Sequence, residues 1–198
     1  TFTITSKQHM SSSQHTKTYL FNSERLGFRN WQDTDVEPLA SLNADAEVMH
    51  FFPGLVSLEQ TVAFVDRMKG LFLETGYCYF AVDTLADGQF IGFIGLDKKT
   101  FESEFTPCVD LGWRLGKKYW NQGYATEGAL RCVRYAFEEL KLTELFAMAP
   151  VINLPSINVM KKIGMQKVTE FRHPLLANNA RLVDCALHKI ANPKFSLL

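Results

Sequence analysis

The chain lacks any charge imbalance: 21 Lys and Arg offset 21 Asp and Glu, so 198 residues carry no net charge. Bulk electrostatics therefore give no reason to expect a nucleic acid or an anionic membrane as the main partner, and an anionic ligand must be held by local geometry. Metal-binding spacing is also missing. Cys78, Cys108, Cys132 and Cys185 are far apart, and neither a CxxC pair nor a Cys/His cluster occurs, which predicts buried, reduced thiols in a cytoplasmic protein. No apolar run nears the roughly 18 residues of a membrane span. The start, TFTITSKQHMSSSQHTKT, has no apolar core of a secretory signal and reads as a polar arm over residues 1–18. Dinucleotide and triphosphate signatures are absent, since neither GxGxxG nor GxxxxGK[ST] occurs. There is no internal repeat.

What is present is a hydrophobic content of 46%, enough for one core, and the length favours a single domain over residues 19–198. Glu24 to Trp31 alternates as a strand, with Leu26 and Phe28 on one face. Thr34 and Glu37 form a capping box for a helix burying Val36, Leu39, Ala40 and Leu42. Ser57 and Gln60 form another, for a helix that Gly76 stops. Tyr77–Thr84 and Phe90–Leu96 flank Asp87-Gly88 as a hairpin, and Cys108–Leu115 reads as a further strand.

The clearest helix runs from Gly123 to Lys141. Its charged face is expected to pair with itself, Glu127 to Arg131 and Arg134 to Glu138. A strand over Glu144–Pro150, a helix over Pro155–Ile163, and strands over Met165–Phe171 and Arg181–Ile190 complete a mixed α/β order. The sheet is antiparallel at its start and parallel around the long helix.

The segment Leu111–Glu127, LGWRLGKKYWNQGYATE, joins a strand to the start of the best helix. Gly116, Gly123 and Ala125 leave the backbone accessible where the first helical N–H groups have no internal partner, so phosphate can bind there without net positive charge. A glycine at a helix start is equally an ordinary stop-and-start device.

Taken together, LGWRL, YWNQGYATEGA and NLPSINVMKKIGM, with ERLGFRNWQDTD and EVMHFFPG upstream, resemble the GNAT acetyltransferases over about Tyr19 to Lys189, and within them the RimJ/RimL-like branch. The resemblance implies an α/β fold with a mostly antiparallel twisted sheet of six to seven strands, splayed in the middle, with about four helices. It implies acetyl-CoA as cosubstrate, without a metal. The pyrophosphate would lie on the N–H groups of Asn121, Gln122, Gly123, Tyr124, Ala125 and Thr126, and the pantetheine beside Trp113, Arg114 and Leu115. Asn153 would contact the cofactor or form a turn. An N–H near Leu111 or Gly112 would hold the acetyl oxygen. The family's glycine loop carries Gln or Arg where this chain has Trp120.

Where many relatives carry an acidic tyrosine this chain has Met160, and Ser156 then becomes the general acid; its other reading is a helix cap. Asp110 is the first candidate for the base and Glu104 the second; His173, after the penultimate strand, either faces the acceptor or is an ordinary loop residue beside Pro174. Phe51 and Phe52 wall the acceptor site or pack a core. The acceptor is an amine: a protein N-terminus such as that of a ribosomal protein, an aminoglycoside or a polyamine. A monomer or homodimer is expected, and a non-catalytic acyl-CoA-binding module is the competing reading.

Overall fold

The structure, a computed structural model, describes residues 18–194. The expected polar arm therefore lies, Thr18 aside, outside the described residues.

Among the described residues eight strands form one sheet: β1 (Phe21–Asn22), β2 (Leu26–Arg29), β3 (Tyr79–Thr84), β4 (Phe90–Lys99), β5 (Cys108–Leu115), β6 (Glu144–Pro150), β7 (Gln166–Arg172) and β8 (Asp184–Ala191), in the order β1-β2-β3-β4-β5-β6-β8-β7. Its helices are α1 (Val36–Asn43), α2 (Leu58–Thr75), α3 (Tyr124–Arg134) and α4 (Leu154–Lys162). The strand beyond the expected six or seven is β1, two residues that pair with β2 across a tight turn at Arg25. That turn shortens the strand expected from Glu24 to Trp31, because Arg25 faces α3 instead of continuing the ladder.

Local signals set α2. Ser57 Oγ accepts from the Gln60 N–H at 3.1 Å, the Gln60 side chain returns the bond to Ser57 N–H at 2.9 Å, and Gly76 ends the helix at φ 77°. At α1 the expected Thr34–Glu37 box does not form. A 3-10 turn over Asp33–Asp35 leads in, and Asp35 accepts from the Gln32 N–H at 2.8 Å. Asp35 is drawn there by Arg29, which lies flat between two carboxylates: Nη1 and Nη2 meet Asp35 at 2.7 and 2.8 Å, and Nε and Nη2 meet Asp83 at 2.7 and 3.0 Å. All three side chains are buried. The fork geometry of the guanidinium lets one cation join β2, β3 and the entry to α1.

The self-paired polar face expected for α3 is also corrected. Glu127 turns away from Arg131 to accept from Arg25 Nε at 2.6 Å and Ser23 Oγ at 2.7 Å, while Arg131 donates to the Asn22 carbonyl at 2.9 Å and covers the Phe21 ring at 4.4 Å. The β1–β2 hairpin packs across this face, so its charges anchor an edge of the sheet. Continuous α-helix ends at Arg134, and a π turn carries the chain to Glu139.

The sheet has two distinct faces. α3 lies so close to one that a Cβ at Gly128 would meet Ile94 Cδ1 at 2.3 Å. On the other, strand register brings Tyr79, Gly95 and Gly112 into one row, Asp97 and Asp110 into a second, and Phe93 and Arg114 into a third. α1 and α2 close this second face: Arg67 of α2 binds Asp97 at 3.0 Å, and Asn43 of α1 accepts from Arg114 at 2.6 Å.

Candidate active site

β5 and β6 run parallel but pair at a single register position, Asp110 with Phe146. Past it the strands diverge, as the expected splay requires. Side chains from both sides of the gap line a cleft of about 620 Å³.

One end of the cleft is the start of α3. Asn121 and Gly123 both take positive φ, 58° and 83°, and no side chain caps the helix. The first-turn N–H groups are thus unused and converge on the cleft, where Tyr124, Ala125 and Thr126 line the wall. A nest of this kind binds phosphate oxygens, so the residues present fit a pyrophosphate-bearing cosubstrate. Two side chains of this turn hold the loop in shape. Trp120 Nε1 donates to the Leu115 carbonyl at 2.8 Å, and Gln122 Nε2 donates to the Lys118 carbonyl at 2.7 Å. Gln122 is the one residue of the Asn121–Thr126 run absent from the cleft wall. Arg25, which the sequence did not suggest, braces the same loop: Nη1 donates to the Gln122 carbonyl at 3.0 Å and the guanidinium covers Tyr124 at 4.4 Å.

The other end is α4. Asn153 caps it by accepting from the Ser156 N–H at 3.2 Å, so capping falls to Asn153, and both Asn153 and Ser156 line the cleft. Pro155, Asn158, Val159 and Lys162 continue that wall at helical spacing. Asn158 and Lys162 were missed in the sequence, although their i,i+4 polar stripe beside Ser156 was visible there. Phe51 and Phe52 close the cleft from the α1–α2 connection, joined by Trp113, Arg114 and Leu115 of β5.

Residues 25–166 match the family model described as Acetyltransferase (GNAT) domain. The chain belongs to the GNAT acetyltransferases. It is 32% identical over 151 residues, 76% of this chain and 84% of the other, to the uncharacterized N-acetyltransferase YnaD of Bacillus subtilis. Among solved structures it resembles the ribosomal-protein-S5-alanine acetyltransferase of Vibrio fischeri, with TM-score 0.72, 18% identity and 89% and 98% of the two chains covered. It also resembles the spermidine N-acetyltransferase of Vibrio cholerae in complex with CoA and spermine, with TM-score 0.67, 16% identity and coverage of 84% and 95%. At those identities the likeness is one of fold. GNAT membership makes this an acetyl-CoA-dependent acyltransferase that acts on an amine.

In this GNAT enzyme the two candidate bases stand differently. Asp110 is 5% exposed and sits behind the cleft wall, where the Tyr79 hydroxyl donates to Oδ2 and the Met148 backbone lies close to the carboxylate. Burial raises its pKa, opposed by the nearby Lys99 charge. A Cβ at Gly112 would meet the Tyr79 ring at 2.9 Å, so glycine there is what lets the tyrosine lie over β5 and reach Asp110. Glu104 is exposed on the loop before β5, outside the cleft. His173 packs against Phe101 at 4.5 Å, with its pKa lowered by burial, on that same side of the sheet's end. The four cysteines are free and buried, and burial raises all their pKa values, Cys108 to about 11. Among the described residues no helix is long and apolar enough to cross a membrane.

Proposed function

We propose that this protein moves an acetyl group from acetyl-CoA to a primary amine by direct attack within a ternary complex. The observation that carries the reading is the continuity of one cleft, through the β5–β6 splay, from the uncapped start of α3 to the Ser156 hydroxyl and the Phe52 wall. Acetyl-CoA supplies a thioester whose carbonyl an amine can attack without a covalent enzyme intermediate. The backbone of Gly123 to Thr126 would bind its pyrophosphate, and the edge of β5 freed by the splay offers N–H groups near Leu111 and Gly112 to the carbonyl oxygen as charge develops.

Ser156 is proposed as the proton donor to the departing thiolate. It is a hydroxyl on the cleft wall released from capping by Asn153. Asp110 is the proposed base ahead of Glu104, because it stands at the position where β5 pairs with β6, beside the splay, and burial raises its pKa, whereas Glu104 is exposed outside the cleft. It acts through the Tyr79 hydroxyl or a water, since its carboxylate lies behind the wall. The fold is shared with enzymes named for a ribosomal protein's alanine and for spermidine, so fold leaves both protein N-termini and small amines as acceptor classes.

The test is release of free CoA from acetyl-CoA across an amine panel, with calorimetry of acetyl-CoA alone. Turnover is expected. Binding without turnover of any amine would instead support a non-catalytic acyl-CoA module. Ser156→Ala should lower kcat by about a hundredfold with acetyl-CoA affinity kept, in line with a lost general acid. An unchanged kcat would remove the serine from the chemistry.

A further inference from the structure

On the acceptor side of β5 stands a cation that the fold leaves without a counter-charge. Arg114 lies on the face covered by α1 and α2, opposite the face on which α3 packs. Its guanidinium is fixed in direction: it stacks on the Phe52 ring at 4.0 Å and on Phe93 at 5.3 Å, and Nη1 donates to Asn43 Oδ1 at 2.6 Å. Asn43 is itself held, donating to Thr61 Oγ1 at 3.0 Å. The Nε side has nothing. Nε is sealed from solvent with no hydrogen-bond partner, and among the described residues no carboxylate reaches the group. Burial lowers its pKa to about 10, which still leaves it charged at neutral pH.

The two other cations that β4 and α2 bring to this face are already paired. Arg67 and Lys99 are both held by Asp97, at 3.0 and 2.8 Å, and the cleft's Glu47 is paired with Lys117 at 2.6 Å out at the rim. Burying a cation without a partner is costly, and the second terminal nitrogen, Nη2, for which no bond is described, is the donor left to a carboxylate entering from the cleft. Gly112, beside the splay where the amine would attack, is two strand positions from Arg114, about 7 Å along the backbone.

We propose that Arg114 reads the acceptor, and that the acceptor is a small amine carrying a carboxylate a few bonds from the reacting nitrogen. This rests on the acetyltransferase reading above. One fixed positive charge matches one negative charge, and it disfavours polycations such as polyamines, whose extra ammonium groups would meet it without compensation.

The experiment compares, on the full chain, amino acids and ω-amino acids with their own carboxamides and with spermidine, by CoA release. The best acid is expected to exceed its amide by at least about tenfold in kcat/KM, mainly through KM. In Arg114→Gln that ratio should collapse to within about threefold, and Arg114→Lys should restore part of it, since a point charge keeps attraction without the fork. An amide that matches its acid in the unaltered protein overturns the proposal, as does spermidine as the best acceptor; neither needs a variant to fold. Equal losses for acid and amide in Arg114→Gln would also overturn it, because a purely structural arginine would act on both alike. Turnover without acid preference sinks only the Arg114 assignment, whereas absent acetyl-CoA binding sinks the acetyltransferase reading itself.

Discussion

Arg29 and Arg114 are both taken largely out of water, and only Arg29 is given counter-charges. Around Arg29 two carboxylates, Asp35 and Asp83, accept four hydrogen bonds of 2.7–3.0 Å. Around Arg114 there are two aromatic rings and one amide oxygen. The first arrangement is finished within the chain and serves to lock β2, β3 and the start of α1. The second is incomplete, lines the cleft, and cannot be relieved by deprotonation because arginine keeps its proton. A buried charge that the protein itself compensates belongs to architecture, and one left for something else to compensate belongs to binding.

The largest expected effect tests the finished half. Asp83→Ala leaves Arg29 with one of its two carboxylates in a buried site and should cost about 3–5 kcal/mol in urea unfolding. A loss below about 1 kcal/mol would erase the contrast between the two arginines.

Next comes the loop opposite Arg114. Gly123→Val places a β-branched residue at φ 83°, with its Cβ 3.3 Å from Arg25 Nη2, so the N–H nest should deform and KM for acetyl-CoA rise at least about tenfold. Initial-rate kinetics with unchanged KM would move the phosphate site elsewhere.

The unfinished half predicts a small stability change. Arg114→Met keeps the length and the ring contacts, loses one hydrogen bond to Asn43, and sheds an uncompensated charge. Its unfolding free energy should stay within about 1 kcal/mol of the parent. A loss of the size expected for Asp83→Ala would show Arg114 to be architectural after all.

The smallest effect concerns a third buried polar side chain. His188 is 1% exposed and neither ring nitrogen has a described partner, but a histidine can stay neutral. Burial, with Lys161 and Lys167 nearby, lowers its folded-state pKa. The unfolded chain therefore binds its proton first: stability is intact above the unfolded pKa of about 6.5 and declines as pH falls below it, by at most about 1.4 kcal/mol per unit. His188→Leu should flatten that part of the pH–stability curve, and an unchanged slope would assign it to other groups.

Local chemistry explains what was readable in advance. Ser57, Gln60 and Gly76 bound α2 through contacts within a few residues, and β5 was assigned with its observed ends because apolar alternation is written along the strand itself. The glycine turn into α3 was legible for the same reason, since free N–H groups at a helix start need no distant partner. Glu127 was misread because its partners, Ser23 and Arg25, lie more than a hundred residues earlier in the chain. Spacing alone favoured Arg131, and packing of the β1–β2 hairpin overruled it. That Asn153 and not Ser156 caps α4, while both line the cleft, became legible only once α4 was seen to begin at Leu154.

The sequence by itself determined the fold class, the family and the uncapped glycine turn into α3 where we propose that a polyanion docks, because those depend on periodicity, turn residues and backbone groups that neighbours along the chain supply. The tertiary structure alone decided which charges are spent. Asp110 is sealed behind Tyr79, Arg67 and Lys99 are taken by Asp97, and Arg114 is left over, because pairing depends on which side chains meet across the sheet and under its helices. Composition counts 21 charges of each sign and sees them balanced; only packing shows that Arg114, held in the cleft between two rings, meets no carboxylate among the described residues.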